Sequence, residues 1–474
     1  MLLLPSFGRN SPPYLPSAAI VPLQRQCGMW VMGNNVRTSA LSKLAVVAGI
    51  FFVLLVPIIL IYSLVAERTS RRDEASDVIS GEWGQPQVIS GPVLTVPFSY
   101  TVAGKNGQQE TLSDRAVFLP EVLQIDAELT TEIRKRSLFG VPVYRARLRL
   151  TGHFKPPDVG TVFSRGYTVS WKEARLSMAV SDPRGIAGPV GLVWNGSDQN
   201  VTPGVAEPSL GAAGVSAAVT GLENQDGKTL PFALTLELNG TKTLQVVPLG
   251  DNTTVAMRSP WPHPGFQGAP LPVKHTIGAD GFTADWSVPY FGRGFPSAWR
   301  RAAMNQEQLT KSIHYAAFGV TLVQPVDIYQ QTTRAVKYAA IFIVMTFVIA
   351  FLWEIIGGVM VHPVQYLFIG FALCLFYVLL LAISEHAGFD TAYALSAGPT
   401  VALIAWYWQW VVQARGRAAL MLAALTALYS YLYLLLRLED YALLAGALGL
   451  FFMLAVVMFL TRRVNWYTLQ PGHD

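Results

Sequence analysis

Apolar residues dominate two parts of the chain, and a regular alternation of apolar and polar residues fills the part between them. Six segments each hold about 20 mostly apolar residues, the length that a helix needs to cross the hydrocarbon core of a bilayer. They are residues 44–65, 338–361, 364–383, 391–412, 418–436 and 441–461. The pattern predicts a polytopic α-helical membrane protein, with one transmembrane anchor followed much later by a five-span bundle at 338–461.

Residues 67–333, between the anchor and the bundle, have the pattern of a large, mostly-β domain. The stretch "RARLRLTGHF" at 145–154 alternates Ala146, Leu148 and Leu150 with three arginines. That period of two places one set of side chains on each face of a strand. Turn signals such as Asp182-Pro183 recur between such stretches, which favours an antiparallel sandwich-like fold.

Three local predictions concern turns and helices in this domain. Asn239-Gly240 is a favoured two-residue hairpin turn and predicts two strands around it. A two-residue turn would set Leu236 opposite Thr243 and mismatch the apolar faces, whereas a longer loop would align them, so the register stays open. Helices are predicted at 67–80, continuing the anchor outward, and at 297–312.

Composition agrees with a membrane protein. Hydrophobic residues make up 51% of the 474 residues and charged residues only 14%, well below the quarter that is usual in soluble domains. The net charge is +5 without a long basic run, which argues against nucleic acid as a partner. Cys27 and Cys374 lie outside the β domain, so no disulfide is expected to stabilise it.

Lysine and arginine residues near the span ends predict the orientation. Positive charges precede the anchor, separate spans four and five and follow span six, and they share one side if both termini are cytoplasmic. The charges that oppose this orientation flank a long translocated domain, where the rule is weaker. The residues on the cytoplasmic side are Arg37, Lys43, Arg415, Arg417, Arg462 and Arg463; those opposing it are Arg68, Arg71, Arg72, Arg334 and Lys337.

The two ends of the chain lie outside the predicted spans. Residues 1–34 are rich in Pro and Ser without periodicity, which predicts a disordered arm or a start assigned too early, since Met29 and Met32 lie close to the anchor. Residues 462–474 form a cytoplasmic tail in this orientation, and residues 67–333 are periplasmic.

The chain lacks the local motifs of familiar hydrolases and nucleotide-binding proteins, and its seven histidines have no metal-ligand spacing. We therefore predict no catalytic residue, no metal and no cofactor. Charged residues in and between the spans are the candidate binding residues, because a carboxylate within a membrane span is a functional candidate. They are Glu354 in span two, Glu385, His386 and Asp390 after span three, and Arg437, Glu439 and Asp440 after span five.

Each of these groups also has a simpler explanation. Helical hairpins need polar turns, which would account for the charges after spans three and five. Glu354 precedes His362-Pro363, a signal that a helix has ended, so it could be an interfacial carboxylate. The "WYWQW" motif at 406–410 is typical of the aromatic belt at a membrane interface.

Several stretches resemble the CreD family of bacterial inner-membrane proteins, which are named for cell envelope integrity and colicin tolerance. The resemblance covers about 35–474 and is most specific over 318–393. It is carried by "GPVLTVPF", "RSLFGVPVYRARLRLTGHF", "SDPRGI", "WSVPYFGRGFPSAW", "FGVTLVQPVDIYQQTTRAVKYA", "FLWEIIGGVMVHPVQYLFIGFALCLFYVLLLAISEHAGFDTAY", "LEDYALLAG" and "TRRVNWY". The resemblance implies one N-terminal span, a large periplasmic domain, a C-terminal bundle and a role in envelope stress, but no catalytic residues.

Three hypotheses about function follow. The first is a non-enzymatic inner-membrane protein that supports envelope integrity and the stress response by binding an envelope lipid or protein through its periplasmic domain. The second is a transporter or flippase-like bundle. The third is a membrane-embedded enzyme that acts on a lipid-linked substrate with Glu385, His386 and Glu439. Membrane lipid is a partner in all three.

Overall fold

The structure is a computed structural model, which describes residues 40–103, 108–164, 166–223, 227–324, 327–357, 360–438 and 441–462. Within these residues a strand domain lies between a long first helix and a C-terminal helical bundle. The helices are α1 (Ala40–Trp83), α2 (Gln306–Tyr315), α3 (Ile328–Gly357), α4 (Pro363–Ala387), α5 (Phe389–Val412), α6 (Arg415–Arg437) and α7 (Ala442–Thr461). The predicted fold class is confirmed.

Five of the described helices, α1, α3, α4, α6 and α7, are long and apolar enough to cross a membrane. The helix at the fourth predicted span, α5, is 24 residues long and packs between α4 and α6. It is not among these five candidate membrane-spanning helices. Its crossing therefore stays a prediction.

The aromatic motif on α5 divides between two environments. Trp406 and Trp410 are 60% and 68% exposed, whereas Trp408 is fully buried in the bundle. For the two exposed indoles, a place in an aromatic belt stays a prediction. The third belongs to the core of the bundle.

The strand domain contains two sheets that share one hydrophobic core. The ten-stranded sheet A has the order β14-β18-β12-β1-β6-β10-β9, with β2 and β5 also paired to β1 and β17 paired to β2. Its strands are β1 (Gln87–Ala103), β2 (Gln109–Phe118), β5 (Tyr167–Val169), β6 (Arg175–Val180), β9 (Val201–Pro203), β10 (Gly214–Ala218), β12 (Thr243–Val246), β14 (Pro264–Gln267), β17 (Ala298–Arg300) and β18 (Phe318–Leu322).

The eight-stranded sheet B has the order β15-β16-β13-β3-β4-β11-β7-β8. Its strands are β3 (Val122–Arg136), β4 (Phe139–Phe154), β7 (Gly191–Trp194), β8 (Ser197–Gln199), β11 (Leu230–Thr241), β13 (Asn252–Ser259), β15 (Lys274–Gly278) and β16 (Gly281–Pro289). Most pairs are antiparallel, as predicted, but β1–β12 and β3–β13 are parallel. The alternation predicted in β4 is confirmed, since Ala146, Leu148 and Leu150 are buried against the core.

The predicted hairpin at Asn239-Gly240 is wrong. β11 runs straight through both residues and pairs with β4 along its whole length, with Asn239 opposite Arg145 and Gly240 opposite Tyr144. The chain turns instead at Lys242, which has φ +58°. β12 then joins the other sheet, where it pairs with β1 and β18. The apolar mismatch disappears because the two strands never pair.

Both helix predictions in this domain have clear outcomes. The helix expected at 67–80 is confirmed, because α1 continues without a break to Trp83. At 1.5 Å per residue its 44 residues span roughly 66 Å, about twice the hydrocarbon thickness. The helix expected at 297–312 is wrong in its first half, where Ala298–Arg300 pairs with β2. The helix α2 begins after an Asn305 cap.

Candidate functional sites

Glu354 lies near the C-terminal end of α3 and is buried, with 8% of its surface exposed. Lys43 on α1 forms an ion pair with its Oε1. The hydroxyl of Tyr366 on α4 donates to its Oε2 at 3.0 Å, and the backbone N–H of Val361 donates to Oε1 at 3.4 Å. The carboxylate therefore joins three helices, and its negative charge has both a cation and hydrogen-bond donors.

The start of α4 beside this contact is set by its sequence. Proline at the first helical position has no N–H to satisfy, and His362 before it caps the helix. Its ring nitrogen accepts from the N–H of Val364, while Gln365 accepts from the N–H of His362 at 2.9 Å. This capping box orients the first turn of α4, which carries Tyr366 toward Glu354.

Glu385 lies at the opposite end of α4. Tyr329 in the first turn of α3 donates to its Oε1 at 3.1 Å, and Nε of Arg68 on α1 lies 3.8 Å from the same oxygen. One turn further along α1, Arg72 forms an ion pair with Asp327 and lies 5.9 Å from the centroid of the Tyr329 ring. These contacts join the bundle to the part of α1 that enters the strand domain.

Asp390 faces a different helix from Glu385. On α6, the Arg437 guanidinium lies 2.6 Å from its Oδ2, and the Tyr433 hydroxyl donates to its Oδ1 at 3.1 Å. Both charged side chains are more than half exposed, so solvent screens this pair and it is expected to add little to stability. Its position at the ends of α5 and α6 agrees with the turn that the sequence predicts.

His386, the remaining predicted site residue that the structure describes, joins none of these three contacts. His386 is exposed and forms no hydrogen bond or ion pair with the other described residues. Glu439 and Asp440 lie outside the described residues. No group of three His, Cys, Asp or Glu side chains that could hold a metal ion occurs in the described part of the chain. Among the described residues, the predicted site residues thus lie in three separate interhelical contacts, around Glu354, Glu385 and Asp390.

A larger polar feature, which we call the sheet B groove, lies on the solvent face of the strand domain. It is a depression of about 630 Å³, and it adjoins a second of about 640 Å³ through Glu128 and Arg258, which line both. Six charged side chains from four neighbouring strands line the first depression. They are Asp126, Glu128, Arg147, Arg149, Glu237 and Arg258.

Charge pairing within this groove is incomplete. Arg147 lies 3.2 Å from Glu237 on the neighbouring strand. Arg149 is directly opposite Asp126, and Arg258 is opposite Glu128. Within the described residues, however, neither Arg149 nor Arg258 forms an ion pair within 4.0 Å. Two guanidinium groups therefore face the groove with their donors available.

The family model for inner membrane protein CreD matches residues 39–467. The inner membrane protein CreD of Escherichia coli (strain K12) is 32% identical over 432 residues, which cover 90% of this chain and 94% of the relative.

The chain belongs to the CreD family.

Membership of the CreD family, together with several long apolar helices, makes this a multi-pass inner-membrane protein. The resemblance noted in the sequence is therefore confirmed. Membrane lipid contacts the spans of such a protein. The family match does not assign a role to any residue, so the sites described above rest on geometry.

Sequence reasoning missed the partners of Glu354 and Glu385. Lys43 served there only as a marker of orientation, and Tyr329 and Tyr366 were not singled out. Lys43 is 311 positions away from Glu354 in the chain, so no local spacing connects them. The one signal in the sequence for such partners is that an unpaired charge within a membrane is costly, so a buried carboxylate should have a partner.

Proposed function

We propose that this protein supports envelope integrity by holding a partner-binding strand domain at the outer surface of the inner membrane. In this proposal the partner binds in the sheet B groove. The observation that carries it is the pair of guanidinium groups, Arg149 and Arg258, which face the groove without ion-pair partners among the described residues. Arginines that form no close ion pair on a concave surface are suited to carboxylate groups of a ligand.

The chemistry of the groove indicates the kind of partner. Its lining alternates basic and acidic side chains across adjacent strands. A peptide segment with both acidic and basic side chains would complement that pattern, with its carboxylates at Arg149 and Arg258 and its cations at Asp126 and Glu128. Charge complementarity of this kind selects partners and sets the register of binding.

The bundle serves as a support in this proposal. Glu354 and Glu385 are both nearly buried, and each is paired with side chains from two other helices. Such pairing stabilises the arrangement of α1, α3 and α4, and it leaves these carboxylates little freedom to bind a passing ligand. We therefore assign them a positioning role.

We further propose that both termini are cytoplasmic and that the strand domain is periplasmic. One residue, Gly388, separates α4 from α5, and two residues separate α5 from α6. With such short links and side-by-side packing, α5 runs antiparallel to both neighbours. If α4 and α6 cross the membrane, α5 crosses it too, which gives six crossings and returns the chain to its starting side.

Complementation of a deletion strain tests the binding proposal. An Arg149→Gln/Arg258→Gln double variant is expected to lose resistance to envelope stress at a normal membrane level. The matched control, Lys172→Gln/Lys228→Gln, removes two positive charges from exposed positions outside the groove and is expected to complement. Full complementation by the Arg149/Arg258 variant would overturn the proposed role of the groove.

A second candidate function is the movement of lipid along the bundle. An apolar groove of about 850 Å³ runs between α3, α6 and α7, lined by side chains such as Met345, Trp353 and Met453. Among the described residues of α7, only Ala442 is buried, so the helix is loosely attached. Fluorescent-lipid translocation in proteoliposomes tests this function, and a rate equal to that of empty liposomes would contradict it.

A further inference from the structure

The hairpin between β3 and β4 extends beyond the rest of sheet B. β13 pairs with β3 only as far as Glu128, and β11 pairs with β4 only from Val143 onward. Residues 133–142, which we call the ribbon, therefore form strand pairs only with each other, and one further backbone hydrogen bond joins the Lys242 N–H to the Pro142 carbonyl at 3.1 Å. A two-stranded ribbon is marginally stable in water by itself, so its surfaces need cover from elsewhere.

One face of the ribbon is covered by the end of α1. Val141 and the neighbouring Val143 pack with Ile79 and Trp83 in a small hydrophobic cluster. The Arg134 guanidinium lies 3.6 Å from the centroid of the Trp83 ring. This face is thus held against a helix that begins inside the membrane.

The other face and the tip have no such cover. Ile133 is 51% exposed and Leu138 is 48% exposed. Lys135 is exposed as well, and it forms no ion pair with another described residue. Ser137 has φ +55°, which lets the chain reverse over two residues and places Leu138 at the extreme end of the ribbon.

Contacts with the bundle give the height of this tip. The Phe139 ring packs against the bundle core, with its centroid 6.1 Å from that of Tyr329 in the first turn of α3. The Gln324 side chain, just before α3, donates to the carbonyl of Gly140 at 3.2 Å. The ribbon tip therefore lies level with the end of a candidate membrane span.

We propose that the ribbon tip is a membrane-surface anchor for the strand domain, with anionic phospholipid as its ligand. Leu138 and Ile133 enter the interfacial layer, and Lys135 lies beside lipid phosphates. Exposed apolar residues next to an unpaired cation are typical of segments that bind a negatively charged bilayer surface. This inference rests on the proposed function only in placing the strand domain against the membrane.

The test measures the depth of the tip in the full-length protein. Cys27 and Cys374 are replaced by Ser and Ala, and a single cysteine is placed by Leu138→Cys and labelled with an environment-sensitive fluorophore. The protein is reconstituted in vesicles of phosphatidylcholine with or without 30% phosphatidylglycerol, each carrying a headgroup-level quencher lipid. The control is Phe291→Cys, which is 93% exposed.

Phe291 suits the comparison because it lies at the other end of sheet B. It lies two residues after Pro289, which pairs with Asn252. Asn252 pairs in turn with Val122, the first residue of β3. Fifteen residues of strand place that end roughly 45 Å from the ribbon tip.

We expect quenching at position 138 to be at least threefold that at 291 in vesicles with phosphatidylglycerol, and to fall without it or with Lys135→Gln. Equal quenching at 138 and 291 would overturn the proposed anchor. Quenching at 138 that changes neither when phosphatidylglycerol is left out nor with Lys135→Gln would overturn it as well. The experiment does not involve the sheet B groove, so its failure is distinguishable from failure of partner binding.

Discussion

Glu354 places a negative charge inside a helix bundle, and its neighbours determine the free-energy cost of burying that charge. Lys43 supplies the opposite charge from α1, and Tyr366 supplies a hydroxyl donor from α4. Removing one member of a buried ion pair is usually worse than removing both, because the remaining charge stays desolvated. The contact therefore forms only when α1, α3 and α4 pack in the correct register.

Glu354→Gln is expected to lower the free energy of unfolding by about 1–3 kcal/mol, because it leaves Lys43 unpaired. Lys43 is about one-fifth exposed, so solvent around its ammonium group should reduce this loss of stability. Thermal unfolding in detergent measures the effect. The Lys43→Met/Glu354→Gln double variant should lose less than the sum of the two single variants; strict additivity would contradict the coupling.

Asp182 plays a comparable role in the strand domain, just beyond the end of α1. The backbone N–H of Gln85 donates to its Oδ2 at 3.1 Å, and the Arg184 guanidinium donates to both of its oxygens. The hydrogen bonds from the Arg184 side chain lower the pKa of the Asp182 carboxyl, and backbone donors add to this effect although burial opposes it. The charged form is thus favoured in the folded protein.

The stabilisation from Asp182 should depend on pH. It is fully present above the ordinary carboxyl pKa of about 3.9 and is lost as the pH falls through the lowered pKa of the folded protein. Asp182→Asn is expected to lower the free energy of unfolding by about 1–2 kcal/mol at pH 7. Scanning fluorimetry should show the difference from wild type shrinking below pH 4. A difference that is constant down to pH 3 would argue against this account.

At the scale of elements, α1 and α4 approach closely at one glycine. A methyl group added to Gly370 would lie 2.1 Å from a terminal carbon of Leu54, which is fully buried. Small residues let membrane helices pack backbone to backbone in this way. The long first helix is therefore fixed against the bundle near Gly370, as well as at Lys43, which pairs with Glu354, and at Arg68, which lies beside Glu385.

Gly370→Ala is expected to destabilise the bundle by about 1–3 kcal/mol through overpacking. Gly398→Ala is the matched control, because a methyl group there would meet no atom within 4 Å. Adding Leu54→Ala to Gly370→Ala should recover part of the loss in a detergent melt. Equal melting temperatures for Gly370→Ala and Gly398→Ala would show that the helices are not in close contact.

The elements were predictable from sequence to different degrees. Spans and alternating strands follow from periodicity, so the bundle and β4 were predicted well. The hairpin predicted at Asn239-Gly240 failed because pairing of β11 with β4 over 12 residues overrode a locally favoured turn. The helix predicted at 297–312 failed in its first half for a similar reason, since pairing with β2 outweighed helix propensity at Trp299.

At the scale of the whole molecule, the chain joins a strand domain to a helical bundle. The continuous α1 enters the strand domain, and the contacts of Glu385, Asp327 and Phe139 fix the domain on the bundle. Sequence alone identified the charged residues of β4 and Glu385 but not their surroundings. The sheet B groove needs four strands that the chain order separates, so only the fold brings Arg149 and Arg258 to one depression.

Photo-crosslinking in intact cells tests most directly whether the sheet B groove binds an envelope partner. A photoreactive residue would replace Thr235, which is exposed and lines the groove, and Tyr167 on sheet A would be the control position. We expect one discrete heterologous adduct at 235, absent at 167 and lost when Arg149→Gln/Arg258→Gln is added. Adducts only between copies of this chain, or the same adducts at both positions, would contradict it.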